Sequence, residues 1–200
     1  MLKRIALFAM IAMLFLAVQA GRANADLIAN GNFATGDFTG WILGGDYANP
    51  SVWYTVNNDG LQNVPAAPTA NYAQFLTAGA PVTISQTLAA TAGQAYTVSF
   101  YVKDDWPTST PNNEFRAVWN GATVMDLAGT SMSSVWTPYA FAITGGTGNG
   151  TNTLTFSFLQ DSAMLDITHI SAAPVPVPGA LLLFGPGLLG LIGLRRRITK

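Results

Sequence analysis

Apolar residues recur at every second position in run after run of this chain, with Gly, Asn, Pro and Asp clusters between the runs. Successive side chains of a strand point to opposite faces, so this period describes half-buried strands, and helical periodicity is absent from the body. In 94–103, Tyr96, Val98, Phe100 and Val102 face one way and Thr97, Ser99 and Tyr101 the other. In 151–160, Leu154, Phe156 and Phe158 alternate with Thr153, Thr155 and Ser157. Phe115, Ala117 and Trp119 alternate with Glu114, Arg116 and Val118, and Tyr139, Phe141 and Ile143 form a further stripe. The segments 27–33, 51–56, 71–76, 81–88, 123–127 and 165–170 read as additional strands. About ten short strands with turn signals between them predict an all-β domain, a jelly-roll-type antiparallel β-sandwich.

Turn chemistry agrees. Asn120-Gly121 lies between two alternating runs, and Asn-Gly readily takes the positive φ angles that a two-residue hairpin needs. The Gly-rich run 145–150 precedes a strand rather than a helix and lacks the Lys-Ser/Thr of a phosphate-binding loop, so it reads as a surface loop. Residues 57–69, with Pro65 and Pro68, read as a long loop bordering a surface.

Charge is sparse and segregated. Only 10% of the 200 residues are charged, and all ten acids lie between Asp26 and Asp166. Lys103 and Arg116 are the only bases in that stretch, which leaves it at −8, whereas the other basic residues cluster at the two ends. A body of that sign repels phosphates, which excludes a nucleic-acid-binding core. There is no Cys, hence no disulfide framework, thiolate metal site or Cys nucleophile, and one His excludes any site needing two.

The ends read as targeting segments. Lys3-Arg4, the apolar run 5–18 and Ala23-Asn24-Ala25 make an n-region, h-region and A-x-A site, so 1–25 reads as a secretory signal. The translocon and signal peptidase would act on it, with cleavage after Ala25 or, as the alternative, after Ala20. Residues 177–194 are uncharged and stop at Arg195-Arg196-Arg197. Eighteen helical residues span ~27 Å, close to a hydrocarbon core of ~30 Å, and the Arg cluster would stay cytoplasmic. Gly185, Pro186, Gly187, Gly190 and Gly193 weaken such a helix, which suits transient anchorage.

The order Val175-Pro176-Val177-Pro178, then the apolar run, then Arg195, Arg196 and Arg197, resembles a PEP-CTERM sorting tail, with Val177 where the family has Glu. (The same tail is also called an ice-binding protein C-terminal domain.) The resemblance covers 174–200 and implies processing by an exosortase-type membrane protease in a Gram-negative bacterium that makes exopolysaccharide. It implies transient inner-membrane anchorage, then the cell envelope surface or extracellular matrix. The body, 26–173, carries a second resemblance. Leu27-Ile28-Ala29-Asn30-Gly31-Asn32-Phe33 with Thr35-Gly36-Asp37-Phe38-Thr39-Gly40-Trp41, and later Ile84-Ser85-Gln86-Thr87-Leu88 and 91–101, are similar to galactose-binding-like jelly rolls related to carbohydrate-binding modules. That family commonly holds a structural calcium with acids near the opening Phe and in the closing strand. Here Ala34 follows Phe33, and Asp166 is the one remnant before Ile167, so no metal or other cofactor is expected.

Candidate binding residues are those where an aromatic ring lies beside polar groups, since sugars present C–H faces ringed by hydroxyls. Asp104, Asp105 and Trp106 end a strand: two carboxylates could take hydroxyls while the indole stacks. The plainer reading is a polar strand end with Trp106 as a lid on the core. Trp53 and Tyr54 are adjacent and must face opposite ways, so one of them is a candidate platform. Arg116 either pairs with Glu114 or meets a ligand. Trp41 reads as core, and His169 has no partner His for catalysis. With no catalytic constellation, the expectation is a non-enzymatic surface protein, adhesive or glycan-binding. A purely structural matrix protein is the alternative, and a polysaccharide-acting enzyme stands third.

Overall fold

The computed structural model describes residues 26–58, 71–106, 113–146 and 152–176. The segment 1–25 with Ala23 and Ala25, most of the loop 57–69, the glycines at 147–150, and the tail from Val177 through Pro178 to Arg195–Arg197 lie outside them. Val175 and Pro176 follow the last strand and are exposed. Among the described residues no helix is long and apolar enough to cross a membrane.

Alternation builds eight strands, all paired antiparallel: β1 (Ile42–Gly45), β2 (Trp53–Asn57), β3 (Tyr72–Thr87), β4 (Ala95–Asp104), β5 (Glu114–Trp119), β6 (Ala122–Asp126), β7 (Thr137–Thr144) and β8 (Thr153–Pro174). The described residues contain no helix. Two expected strand pairs merge. Segments 71–76 and 81–88 are one strand, β3, and 151–160 and 165–170 both belong to β8. Their mutual ladder shifts register between Phe75 and Val82, and such irregularities bend a strand without ending it. Gly79, at φ 101°, lies in that bend.

Each bent strand therefore serves two layers. In the first, Val82–Thr87 of β3 pairs with β1 and with Thr153–Phe158 of β8, which also pairs with β5; β6 extends β5. In the second, Ala73–Phe75 of β3 pairs with β2 and with Leu165–Ile167 of β8, and β4 and β7 follow. Rings close the space between them. Phe75 stacks on Phe158 with centroids 4.2 Å apart, and Phe100 meets Phe156 at 5.1 Å and Phe115 at 5.5 Å. The result is a β-sandwich.

The predicted stripes fill its core. Tyr96, Val98, Phe100 and Val102 are buried, as are Leu154, Phe156 and Phe158, and Phe115, Ala117 and Trp119. Trp41 is buried too, its ring 6.0 Å from Phe33. Asn120 and Gly121 both take positive φ, 50° and 81°, and turn β5 into β6 with Trp119 opposite Ala122.

The expected strand over 27–33 is corrected. This segment is a series of turns, with positive φ at Asn30 (52°) and Phe33 (51°). Asn30 Nδ2 donates to the carbonyls of Asp37 and Thr39, and this local bonding competes with a ladder. Two backbone bonds, Leu27 N–H to Ala172 O and Ile170 N–H to Gly31 O, fasten the segment to β8 and let Ile28 and Phe33 plug the core. A Cβ on Gly31 would collide with the Ile170 carbonyl.

Candidate functional site

Register, which is non-local, assembles a polar row on the outward face of the second layer. Thr55 of β2 lies opposite Gln74 of β3, Gln74 opposite Asp166 of β8, and Asp166 opposite Lys103 of β4. Cross-strand partners share a face. Two residues along on the same face stand Trp53 opposite Leu76, Asn57 opposite Tyr72, and Tyr101 opposite Thr168. The indole of Trp136 adds to this face, meeting the Tyr72 ring edge-on at 5.6 Å.

The row is wired together. Asn57 Nδ2 donates to Gln74 Oε1 at 2.8 Å, and Gln74 Nε2 donates to Asp105 Oδ2 at 3.0 Å. The Lys103 ammonium lies 2.7 Å from Asp105 Oδ1 and 2.9 Å from Asp166 Oδ2. It also sits over both rings, 5.6 Å from the Tyr72 centroid and 5.3 Å from that of Trp136. Asp166 is 0% exposed, and the Lys103 ammonium at 2.9 Å is the charge that partners it. Burial pushes the Asp166 carboxyl up to about 7 against the pull of Lys103, and the Asp105 charge adds to the rise. Burial alone would lower the Lys103 ammonium, but the Asp105 and Asp166 carboxylates hold it above the ordinary lysine value.

The sequence candidates separate on this frame. Asp104 and Asp105 alternate, so they cannot act side by side. Asp104 lies opposite Leu165 on the core side and is fully buried, held by the Gln160 amide at 3.1 and 3.2 Å and by the Trp106 N–H at 2.9 Å. Burial raises its carboxyl above the ordinary value, and no ligand reaches it. Asp105 joins the row instead. Trp106 is 69% exposed, which corrects the reading of it as a lid.

Trp53 is on the row's face and 46% exposed. Tyr54 takes the other face, where its ring meets Tyr47 at 4.7 Å and Phe38 at 5.9 Å. Arg116 lies on the first layer, paired with Glu114 at 2.9 Å and Asp126 at 3.1 Å. His169, at φ 51°, has its ring 6.1 Å from that of Tyr101, and burial lowers its pKa. It also borders a shallow depression with Asp26 and Asn30, but Asp26 Oδ1 is taken by the N–H groups of Ile28 and Ala172.

Calcium does not fit Asp166. The cation beside it is the Lys103 ammonium, and among the described residues no group of three or more His, Asp or Glu side chains could hold a metal. Gln74, Lys103, Tyr72, Asn57 and Trp136 are the site residues that sequence reasoning missed. Tyr101, Lys103 and Asp105 do alternate with the buried stripe of β4, and that period was the available signal.

No family model matches the chain, and no curated protein sequence does. Solved structures share the fold at low identity. The carbohydrate-binding module TmCBM61, solved with β-1,4-galactotriose, is 16% identical with a TM-score of 0.51, covering 76% of this chain and 99% of that one. A Stig cyclase, Fisc from Fischerella sp. TAU, is 12% identical with a TM-score of 0.54, over 78% of this chain and 100% of that one. The enzymatically active domain of bacteriophage CBA120 tailspike protein 4 is 15% identical at a TM-score of 0.53; the match covers 75% of this chain but only 21% of the tailspike chain. Binding module and enzymes alike use this sandwich, so the fold alone does not assign an activity.

Proposed function

We propose that this is a non-catalytic glycan-binding protein of the bacterial surface, and that the outward face of the second layer is where sugar docks. One observation carries the reading. An outward sheet face, which Thr and Ser alone would keep soluble, instead brings the exposed ring of Trp53 and the half-buried ring of Trp136 beside the polar heads of Asn57, Lys103 and Asp105, over the buried Tyr72 and Gln74 that hold them in place. Rings take the C–H faces of a pyranose, and amide, ammonium and carboxylate groups exchange hydrogen bonds with its hydroxyls. The likeness in fold to a module solved with galactotriose supports it.

In this proposal a jelly-roll body leaves the cell through the segment 1–25, passing the translocon and signal peptidase. The PEP-CTERM-like tail with Val175, Pro176, Val177 and Pro178 then delivers it, by an exosortase-type protease, to the outer envelope or an exopolysaccharide matrix. A structural matrix protein without a specific ligand is the second reading, favoured by how fully Asn57, Gln74 and Asp105 bond to one another.

The test is saturable binding of the exported protein to a panel of immobilised polysaccharides. Trp53→Ala should weaken it by about 1–3 kcal/mol, as loss of one ring contact at a binding hot spot does, with little change in melting temperature. Trp106→Ala, beside Asp105, tests the second exposed ring on the same scale. Binding indifferent to both, or absent, favours the structural reading, and turnover of a polymer would establish an enzyme.

A further inference from the structure

Both bases of the body are quenched in the same way. Lys103 lies between Asp105 and Asp166, and Arg116 lies between Glu114 and Asp126. With every carboxyl ionised each trio would carry one net negative charge, a limit the Lys103 trio approaches only as pH rises above about 7 and Asp166 loses its proton, and 26–173 contains no third Lys or Arg. Neither the Lys nor the Arg side chain of the body therefore presents an uncompensated cation to a ligand.

On the ring-bearing face this has a chemical consequence. Lys103 can still donate to a neutral hydroxyl through its remaining exposed surface. A uronate or sulfate brought to the same place meets Asp105, whose side chain is 38% exposed, and, whenever it is ionised, the buried carboxylate of Asp166 behind it. It also meets the field of a body at −8. Proteins that recognise anionic groups use free Arg or Lys, and here both are engaged. We infer that the site selects neutral glycans and rejects acidic ones, and that Asp105 and Asp166, by neutralising Lys103, set this choice. The inference rests on the glycan-binding reading and adds to it the class of ligand and the residues that choose it.

A competition experiment at low ionic strength separates the two claims. A neutral polysaccharide that binds the exported protein is displaced either by itself or by the same polymer with its C6 hydroxymethyl groups oxidised to carboxylates. Competition reports the ring-bearing site alone, whatever the basic chain ends bind. The oxidised polymer should need at least about fivefold more material, the scale of one unscreened contact between like charges, and the gap should shrink as salt is added. Asp105→Asn, which keeps the side chain's size and an oxygen for Gln74 at a partly exposed position, should narrow the gap, and Asp166→Asn should narrow it further if it folds. Equal or better displacement by the oxidised polymer, or an Asp105→Asn gap identical to wild type, overturns the inference and leaves glycan binding intact. Failure of every neutral polymer to bind overturns the glycan-binding reading, and this inference with it.

Discussion

The two outward faces of the sandwich each set one acid opposite one base on neighbouring strands and put the pair to different use. On the first layer, Thr83, Ser157, Arg116 and Asp126 form a row across β3, β8, β5 and β6. On the second, Thr55, Gln74, Asp166 and Lys103 form a row across β2, β3, β8 and β4. Arg116 is 38% exposed along its side chain and its partner Asp126 is 46% exposed, so water screens that pair and leaves it little weight in stability. Asp166 is wholly buried beside aromatic rings, where desolvation of a carboxylate can exceed what its partner returns. The first row is a solvated sheet exterior. The second keeps a buried carboxyl against Lys103, which itself lies over two rings, and burial of such a group does little for folding alone.

The deepest way to break this comparison is to remove the core between the faces. Phe100→Ala should cost about 3–5 kcal/mol in denaturant unfolding, since Phe100 touches Phe115 and Phe156 across the layers. Tyr101→Ala, one residue on and facing outward, should cost much less. Comparable losses would mean that β4 does not divide core from face as described.

Proton linkage sharpens the comparison next. Asp166 has a folded pKa raised to about 7 from 3.8, so the folded protein binds this proton more tightly than the unfolded chain does. The benefit is complete below about pH 4 and is lost as pH rises through about 7, a fall of up to about 4 kcal/mol. The raised pKa of buried Asp104 acts in the same direction. Asp166→Asn should flatten much of this slope. Asp126 is shifted the other way, lowered first by the Ala128 N–H and then by Arg116, so Asp126→Asn should leave the fall in place. Unfolding midpoints measured from pH 4 to pH 8 decide it. A wild-type protein that gains stability across that range would refute the burial of the Asp166 carboxyl as the dominant influence on its proton.

The smallest effect belongs to the solvated row. Arg116→Ala should change stability by no more than about 1 kcal/mol and leave the proposed glycan binding unaltered. A marked loss of binding would move the site to the first layer.

What the sequence made legible was local. The stripes through Phe100, Phe115 and Phe156 needed only a period of two, the Asn120-Gly121 turn needed only two residues, and Trp41 needed only its size and setting. The continuity of β3 was hidden because Gly79 and Pro81 read as punctuation, although here they fall in a bend within one strand. The 27–33 segment opens on an apolar run that can pass for a strand, but side-chain bonds from Asn30 hold it in turns. The site row was hidden for a deeper reason. Gln74, Lys103 and Asp166 become neighbours only through the pairing of three strands, and a single strand's pattern carries no register with another. Asp104 and Asp105 were grouped by adjacency in sequence, whereas a pleated strand sends them to opposite sides.

The long shared strands also govern when this body can exist at all. Bonds that close it join positions far apart in the chain: Thr77 to Phe158 across 81 residues, Thr168 to Asn71 across 97, and Ala172 to Asp26 across 146. Closing such loops costs chain entropy before any contact returns it, so domains of this kind fold slowly. β8 is central to both layers, and neither β3 nor β4 nor β5 has its full set of partners until β8 has been synthesised. A ribosome therefore delivers nearly all of the body before its core can form, and until then the chain remains extended enough to be threaded or bound by other proteins.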